Sequence, residues 1–353
     1  MAHVFVGMSG GVDSSVAALL LQREGYQLSG INLCLLRRSE CAEDRSGTAD
    51  AEDARAVAAR LGIPFHTVDL SERFREIVIR NFIEEYEAGR TPNPCILCNR
   101  TIKFGAMLDE ILKLGGDCVA TGHYAQVMQD PETGRWLLKR GADRRKDQSY
   151  FLYRLTQEQL SRTLFPLGGL EKEQVRRIAE ENRLINANKR DSQDICFVPD
   201  GDYAAFIERT TGKVSPTGDF LDAEGRVLGR HKGFIRYTKG QHKGLGLPTA
   251  EPLYVLRKDP DSCAICLGPD SDLWTNELVA EEMNWISIPA LTESLRVTAK
   301  TRYSHRESAA VVEPLVEGRV HVVFDEPQRA VTAGQAVVLY DGELVVGGGT
   351  ICE

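Results

Sequence analysis

The sequence predicts an α/β protein in three parts: a domain with a parallel β-sheet, a small central β-rich domain and a C-terminal β-barrel. Three observations predict this architecture. Apolar strands alternate with amphipathic helices through residues 1–125, an order typical of parallel sheets. Short strands and turns replace most helices after residue 210, and almost only strands follow from residue 275. We place the domains at 1–203, 204–274 and 275–353.

The first domain opens with a strand and a helix joined by a glycine-rich turn. Apolar periodicity predicts strands at 4–8, 27–36, 64–70 and 119–121, and helices at 14–24, 50–61, 71–87 and 103–114. A hairpin is predicted around the turn 130–134, followed by helices that begin at Thr156 and span 171–184. Ligands bind at the carboxyl ends of parallel strands, so the turns there are the first candidates for a site.

The remaining residues predict short strands. In the central domain a helix at 202–210 precedes strands at 219–221, 226–228, 254–257 and 264–267. The last domain has strands at 296–302, 309–316, 319–324, 336–340 and 343–348. The dipeptide Asp341-Gly342 predicts a tight hairpin between the last two strands. Strands this closely spaced favour a small closed barrel.

Composition sets limits on compartment and partners. The 353 residues carry a net charge of −8, yet segment 135–146 has six Lys and Arg against one Asp, and segment 231–243 has four against no acid. Such strips suit a polyanion, although solvated surface is the alternative interpretation. No apolar run is long enough to span a membrane and no leader is evident, so we expect no membrane partner and a cytoplasmic protein. Nine cysteines, an odd number, do not indicate a disulfide framework.

The turn SGGVDSS at residues 9–15 is the most informative motif. Its glycines let the backbone approach a phosphate, and the following helix offers free N–H groups to an anion. The order is that of the pyrophosphate loop in enzymes that cleave ATP between the α and β phosphates and adenylate an oxygen. The lysine of a kinase-type loop is missing. An ordinary strand–helix turn that needs two glycines is the alternative.

Two cysteines lie in polar surroundings. Cys98 is predicted near a helix N-terminus beside Arg100 and Lys103, which would favour its thiolate and lower its pKa from about 8.5. Cys196 follows a basic pair at 189–190. In contrast, Cys34 and Cys118 have the apolar neighbours of strand cores. The pair at 263 and 266 falls on a predicted strand whose side chains alternate between faces, so we expect no role for it.

With these motifs in place, the chain resembles the bacterial tRNA-specific 2-thiouridylases from residue 4 to about residue 349. The matching pieces are GMSGGVDS at 7–14, GRTPNP at 89–94, LCN at 97–99, ATGHY at 120–124, KDQSYFLY at 146–153, ICF at 195–197, KGLG at 243–246, KTRY at 300–303 and FDEP at 324–327. The resemblance implies that the first domain has the pyrophosphate-loop fold of adenine-nucleotide hydrolases. It also implies 2-thiolation of the wobble uridine through adenylation of its O2.

The resemblance further implies a role for each matching residue. Cys196 would carry a persulfide, and Cys98 would release its sulfur by forming a disulfide with Cys196. Asp13 would lie near a Mg²⁺ ion. ATP would contact Gly7, Met8, Ser9, Gly10, Gly11, Val12, Asp13 and Ser14, and the backbone of Leu33 and Gly122. The target base would meet Asn93, Pro94 and Cys95, and tRNA would meet His123, Lys146, Asp147, Gln148, Arg302, Tyr303 and Gln335.

Partners follow from the same resemblance. Acceptor tRNAs for Lys, Glu and Gln are expected, with a cysteine desulfurase or a sulfur-relay protein as the sulfur donor. Leu33 stands where the family is expected to have Met, a small departure if the contact is through main chain.

A second departure leaves the sulfur chemistry open. Cys95 stands where many members are expected to have Asp, which creates a Cys-x-x-Cys spacing with Cys98. Together with Cys196 these thiols would be able to hold a [4Fe-4S] cluster, in which case Cys196 is a ligand and not a persulfide carrier. Two rival functions also remain. A small-molecule synthetase with this loop predicts ATP turnover without RNA, and a non-catalytic iron–sulfur or tRNA-binding protein predicts that Asp13→Ala leaves function unchanged.

Overall fold

A computed structural model of the chain describes residues 2–36, 46–187, 189, 195–248 and 251–352. It confirms the predicted fold class: a parallel sheet flanked by helices, a small mixed sheet and an antiparallel barrel. The predicted strand at 27–36 ends earlier, at Cys34, and residues 190–194, which precede Cys196, lie outside the described residues. No helix in the described ranges is both long enough and apolar enough to cross a lipid bilayer.

The first sheet has five parallel strands in the order β3-β2-β1-β4-β7. Its strands are β1 (His3–Gly7), β2 (Gln27–Cys34), β3 (Phe65–Asp69), β4 (Cys118–Ala120) and β7 (Thr163–Leu164). The central strand β1 is apolar and buried along its middle, as expected for a strand covered on both faces. The carboxyl ends of β1, β2 and β4 therefore meet at one edge, where the glycine-rich turn begins.

Nine α-helices are described in the chain. They are α1 (Val12–Arg23), α2 (Ser46–Leu61), α3 (Ser71–Phe74), α4 (Arg80–Glu87), α5 (Pro94–Cys98), α6 (Met107–Lys113), α7 (Gln157–Ser161), α8 (Lys172–Glu181) and α9 (Tyr203–Thr211). The sequence predicts a helix that begins at Thr156, and the structure shows a capping box there at the start of α7.

Two of the predicted helices contain π-helical segments. The segment Arg75–Ile79 joins α3 to α4, and the segment Asn99–Ala106 joins α5 to α6. The second helical run therefore begins at Pro94, nine residues before the predicted start at 103. Proline is favoured in the first helical turn because its missing N–H has no partner there. This earlier start places both Cys95 and Cys98 inside the helix.

The central domain is a four-stranded sheet in the order β10-β11-β8-β9. Its strands are β8 (Asp219–Leu221), β9 (Val227–Arg230), β10 (Tyr254–Asp259) and β11 (Ala264–Gly268). Cys263 precedes β11 with a φ of 54°, so the prediction that it lies on the strand is wrong. His231 is buried here and its Nε2 lies 2.8 Å from the carbonyl oxygen of Cys263, which makes it a structural residue.

The C-terminal domain is a closed antiparallel barrel of six strands. They are β12 (Trp274–Trp285), β13 (Leu295–Lys300), β14 (Ser308–Pro314), β15 (Val320–Arg329), β16 (Ala336–Asp341) and β17 (Leu344–Ile351). Pairing of β12 with both β15 and β17 closes the ring. Gly342 has a φ of 54° in the predicted tight turn.

The predicted hairpin of the first domain joins the barrel and not the parallel sheet. Its strands, β5 (Ala125–Gln129) and β6 (Trp136–Arg140), extend the barrel sheet through the pairing of Leu344 with Lys139. One apolar core accordingly contains Phe104 and Tyr150 from the first domain and Tyr340 from the barrel. This shared core holds the barrel against the part of the first domain that carries the cysteines.

Candidate active site

The glycine-rich turn after β1 is a tight loop whose shape depends on Gly10. This residue has a φ of +74°, and a Cβ atom there would lie 2.2 Å from the backbone oxygen of Asp50. Only glycine meets both conditions without strain. The hydroxyls of Ser14 and Ser15 each donate to the carbonyl oxygen of Gly11 at 3.1 Å. Because Gly11 has no side chain with which to cap α1, the first N–H groups of this helix suit an anion.

Polar side chains from the other end of the domain support this loop. The Nδ2 atom of Asn186 donates to Gly10 O at 3.0 Å and to Ser15 Oγ at 2.8 Å. The Lys189 ammonium lies 3.3 Å from Gly10 O and also binds the carboxylates of Asp50 and Asp53. These contacts rigidify the loop, as a site for a polyphosphate requires.

Asp13 lies in the first turn of α1 and is held by two donors. The Lys172 ammonium lies 2.8 Å from each of its carboxylate oxygens. The Tyr124 hydroxyl donates to Oδ1 at 2.9 Å. A carboxylate is the oxygen ligand that Mg²⁺ prefers, so the chemistry of Asp13 fits a magnesium–nucleotide complex. Lys172 binds both of the carboxylate oxygens that would coordinate such an ion.

Leu33 and Gly122, the expected adenine contacts, lie at the ends of the strands on either side of β1. Leu33 is near the end of β2, and Gly122 follows β4, so the two flank the end of β1. A Cβ atom on Gly122 would lie 2.8 Å from the backbone of Asp13 and of Ser14. Gly122 thus packs directly against the loop, and its backbone contact with a nucleotide remains a prediction.

Cys95 and Cys98 lie on one helical run that begins at Pro94. Cys95 is in the first turn of α5 and is exposed, whereas Cys98 ends α5 and is only 7% exposed. Cys196 is exposed in the turn before α9. Cys34, predicted as strand core, is instead exposed at the end of β2. The residue in the first helical turn is therefore Cys95 and not Cys98.

The prediction that Cys98 has a lowered pKa is wrong. Burial raises the pKa of the Cys98 thiol to about 12, and Cys196 and Cys95 add to this rise. Loss of hydration also raises the pKa of Cys95 and of Cys196, and Cys95 contributes to the rise at Cys196. Cys95 and Cys196 thus both act on Cys98, and Cys95 acts on Cys196, which places the three thiols in one neighbourhood although 101 residues separate the first from the last.

Lys103 opposes these shifts at all three thiols. It lowers the pKa of Cys95, Cys98 and Cys196, and it helps to hold the pKa of His123 well below 6.5, where burial is the larger cause. Side chains five residues apart in an α-helix point about 140° apart. The π-helical segment Asn99–Ala106 has i→i+5 hydrogen bonds, which bring Lys103 back towards the face of Cys98.

The arrangement of these thiols does not form a metal site. Within the part of the chain that the structure describes, no three His, Cys, Asp or Glu side chains are grouped so as to hold a metal ion. All eight cysteines described are free thiols.

The loop that carries Asn93 and Pro94 is tied to the barrel. The Thr91 amide donates to Ala333 O at 3.0 Å, and Gln335 Nε2 donates to Thr91 O at 2.7 Å. Gln335, expected to meet tRNA, thus binds the loop that is expected to meet the target base. The barrel in this way sets the position from which α5 begins.

In the KDQ motif at 146–148, Lys146 lies near solvent, whereas Asp147 and Gln148 accept hydrogen bonds from neighbouring backbone amides. Asp147 is buried and accepts from the amides of Gly141 and Ser149 and from the Ser149 hydroxyl. Gln148 Oε1 accepts from the Tyr124 amide at 3.0 Å. Lys146 lies on a cavity of about 320 Å³ that also adjoins Lys172. Their expected contacts with tRNA remain predictions.

Of the other residues expected to contact tRNA, His123 follows β4 in the first domain, and Arg302 and Tyr303 follow β13 in the barrel. His123 is half-buried, with Nδ1 2.7 Å from Thr121 Oγ1. Arg302 donates to Ala330 O and to Thr332 Oγ1, while its buried Nε has no partner among the described residues. Tyr303 is 37% exposed. Its ring offers a stacking surface of the kind that single-stranded RNA uses.

Sequence reasoning missed the supporting residues Lys172, Asn186 and Tyr124. Lys172 is 159 positions from Asp13 and is an unremarkable residue in the first turn of a polar helix. Asn186 lies in a polar stretch without periodicity. Tyr124 was within a matching motif, but only the fold shows that its hydroxyl reaches Asp13.

Comparison with known families covers all three domains. Residues 2–200 match the family described as tRNA methyl transferase HUP domain. Residues 204–269 match the tRNA methyl transferase PRC-barrel domain, and residues 275–351 match the aminomethyltransferase beta-barrel domain.

Individual proteins are similar over nearly the whole chain. The tRNA-specific 2-thiouridylase MnmA of Clostridioides difficile is 49% identical over 99% of this chain and 97% of its own length. The protein of the same name from Acetivibrio thermocellus is 49% identical over 99% of this chain and 98% of its own. Among solved structures, one that is similar is the U34-tRNA thiolase NcsA from Methanococcus maripaludis with its [4Fe-4S] cluster. The match covers 59% of this chain and 66% of that chain, at 19% sequence identity and a TM-score of 0.34. A likeness this distant says nothing about the chemistry of this chain.

Proposed function

Because the chain belongs to the tRNA-specific 2-thiouridylase family, we propose that it replaces the 2-oxygen of the wobble uridine of tRNA with sulfur, using ATP. Family membership carries the reaction class, an enzymatic transfer of sulfur to tRNA. The roles of individual residues and the order of steps are the proposal. One observation supports this proposal above the others. The same domain contains the glycine-rich loop shaped by Gly10 and the neighbouring thiols of Cys98 and Cys196.

The loop at residues 7–14 supports the activation step. A uridine oxygen is a poor leaving group, and AMP is a better one. Uridine O2 attacks the α-phosphorus of ATP, the bond from that phosphorus to the bridging oxygen breaks, and pyrophosphate leaves with the electron pair. Asp13 would hold a Mg²⁺ ion, which supplies neutralisation of phosphate charge. The N–H groups at the start of α1 bind the polyphosphate and orient it.

The paired thiols support the sulfur step. A persulfide on Cys196 holds the transferable sulfur, and the Cys98 thiolate attacks the Sγ atom of Cys196. A Cys98–Cys196 disulfide forms, and hydrosulfide leaves and displaces AMP from C2 of the uridine. The disulfide is then reduced by an external thiol before the next turnover. Lys103 favours the thiolate forms that these attacks require.

The finer identity of the partners also belongs to the proposal. The tRNAs would be those for Lys, Glu and Gln, and the persulfide would come from a cysteine desulfurase or a sulfur-relay protein in the cytoplasm. The base would enter at Asn93, Pro94 and Cys95, at the start of α5. The stem would lie towards Tyr303 of the barrel, whose exposed ring is suited to RNA.

A [4Fe-4S] cluster on Cys95, Cys98 and Cys196 is the alternative sulfur chemistry. The proximity of Cys95 and Cys196 to Cys98, seen in their effect on its pKa, favours it. The described side chains as arranged do not form a metal site, which favours the persulfide. Iron analysis and visible spectra of anaerobically purified, active protein separate the two. Active protein without iron contradicts the cluster, and activity that appears only after iron–sulfur reconstitution contradicts the persulfide.

The test of the proposal is thiolation of unmodified glutamate tRNA with Mg-ATP, a cysteine desulfurase and cysteine. Product is detected by retardation in a mercury-containing gel. Cys98→Ala and Cys196→Ala should each abolish product while tRNA binding survives, and Cys266→Ala in the central domain is the matched control. Near-normal activity of either active-site variant would contradict the two-thiol route. ATP consumption without any thiolated tRNA from the wild type would favour a small-molecule synthetase.

A further inference from the structure

Three thiols of unequal exposure meet at the start of the helical run that begins with α5. Cys95 lies in the first turn of α5 and is exposed, whereas Cys98, one turn later, is only 7% exposed. Phe197 belongs to the same apolar core as Cys98, and Ile195 packs against that core. The residue between them, Cys196, is exposed. Cys98 is thus a buried thiol with two accessible thiols as neighbours.

Cys95 is the thiol whose sulfur the proposed reaction does not use. It is exposed, but neighbouring atoms remove enough of its hydration to raise its pKa, and Lys103 acts against that rise. The same two causes act on the pKa of Cys196. Cys95 also acts on the ionisation of Cys98 and of Cys196. A third sulfur atom therefore lies within electrostatic range of the two that exchange sulfur.

The buried position of Cys98 creates a difficulty at the end of each turnover. In the Cys98–Cys196 disulfide of the proposed reaction, the Cys98 sulfur is shielded from thiols in solution. An external thiol would attack Cys196 Sγ and leave a mixed disulfide on the atom that must carry the next persulfide. A second external thiol would then be needed to free Cys196. A thiol within the protein that attacks Cys98 avoids this blocked state.

The spacing of Cys95 and Cys98 allows them to form a disulfide. Residues i and i+3 of an α-helix lie on one face with Cβ atoms about 5–6 Å apart, and a disulfide needs about 3.5–4.5 Å. The first N–H groups of a helix have no intrahelical partner, so the first turn can tighten with the loss of few hydrogen bonds. Pro94, at the first helical position, has no N–H to lose. The start of α5 is therefore suited to a bridge between these two residues.

We propose that Cys95 resolves the Cys98–Cys196 disulfide: its thiolate attacks Cys98 Sγ, the bond to Cys196 breaks, and a Cys95–Cys98 disulfide forms. The electron pair of the broken bond leaves on Cys196 Sγ, which takes up a proton in place of the one that Cys95 lost, so the exchange involves no net oxidation. This direction is favoured because the exposed sulfur leaves and not the buried one. The external thiols that the proposed function already requires reach Cys95 and reduce the new disulfide, while Cys196 is free to accept sulfur. The inference rests on the proposed function.

The first test maps the disulfide after a single turnover. Wild-type protein is loaded with persulfide by a cysteine desulfurase and cysteine, freed of both, mixed with Mg-ATP and unmodified glutamate tRNA without reductant, and quenched with an alkylating agent. Mass spectrometry of the linked peptides should find Cys95–Cys98, with Cys196 alkylated. The conservative variant Cys95→Ser should stop at Cys98–Cys196. Wild-type protein that ends with Cys98–Cys196 and an alkylated Cys95 would overturn the proposal.

The second test separates disulfide resolution from contact with the target base. With a dithiol reductant and the sulfur donor present, the rate of later turnovers is compared with the rate of the first. Cys95→Ser should lower this ratio by about 10-fold or more, because a thiol held beside its target has an effective concentration far above that of a reductant in solution. A lost base contact would slow every turnover equally, and an unchanged ratio would therefore refute the resolving role. Cys266→Ser, at a partly buried thiol of the central domain, is the matched control and should keep the wild-type ratio.

Failure of the proposed function is distinguishable from failure of the resolving step. Disulfides are also mapped in a glutathione redox buffer without ATP or tRNA, where wild type should form Cys95–Cys98 and leave Cys196 free. A preference for Cys98–Cys196 under these conditions would exclude the resolving step even if tRNA is thiolated. Wild-type protein that forms Cys95–Cys98 but never thiolates tRNA would contradict only the proposed function. Activity that depends on bound iron would overturn the persulfide route and the resolving step together.

Discussion

Gly122 offers a test of whether loop position controls catalysis. In Gly122→Ala the new Cβ atom would lie 2.8 Å from Asp13 C and Ser14 N, where an ordinary contact is 3.4–4 Å. The loop must therefore retreat by about 0.6 Å or more. Overpacking of this kind costs about 1–3 kcal/mol of unfolding free energy. A displacement approaching 1 Å lowers turnover by up to about 100-fold.

The chain contains a matched control for this substitution. Gly169→Ala introduces the same methyl group where no atom lies within 4 Å, and neither glycine has a left-handed φ. We expect Gly169→Ala to keep its stability within about 0.5 kcal/mol and its full activity. Urea unfolding measures the stability, and pyrophosphate release at saturating ATP and tRNA measures turnover. Wild-type stability and turnover in Gly122→Ala would refute the reasoning.

Two further predictions concern the helix that carries the thiols. Gln335→Ala removes the hydrogen bond to Thr91 O, so thiolation should fall about 5- to 10-fold, the effect of a lost hydrogen bond, while ATP binding stays unchanged. Gln328→Ala on the same barrel is the control. Equal activity of the two variants would show that the contact between Gln335 and the Thr91 loop does not matter for thiolation. Lys103→Met removes the charge that lowers the pKa of the three thiols, so the pH midpoint of their alkylation should rise and alkylation at pH 8 should slow, whereas Lys113→Met should leave the midpoint unchanged. An unshifted midpoint in Lys103→Met would remove Lys103 from the site.

Local sequence predicted the features that depend on neighbouring residues in the chain. The phosphate loop is a contiguous strand–turn–helix, and its need for Gly10 is visible in the motif itself. The turn at Gly342 and the capping box at Thr156 are likewise set by residues within three or four positions. These predictions held because the interactions that determine them are short in sequence.

Features that depend on burial were the ones that sequence could not predict. Cys34 has apolar neighbours but is exposed, because it is the last residue of β2, at the carboxyl end of the strand. The hairpin β5–β6 pairs with the barrel because β17 offers it a partner more than 200 residues later in the chain. Local composition contains no information about either neighbour.

The sequence by itself determined the three-part architecture, the ATP loop and the family, because these follow from periodicity and from ordered motifs. Only the tertiary structure decided the ionisation of the thiols and the partner of Asp13. Cys98 has its pKa raised, contrary to expectation, because desolvation outweighs the charge of Lys103. Lys172 reaches Asp13 across 159 residues. Solvation and charge act through space, and only folding determines which groups are close in space.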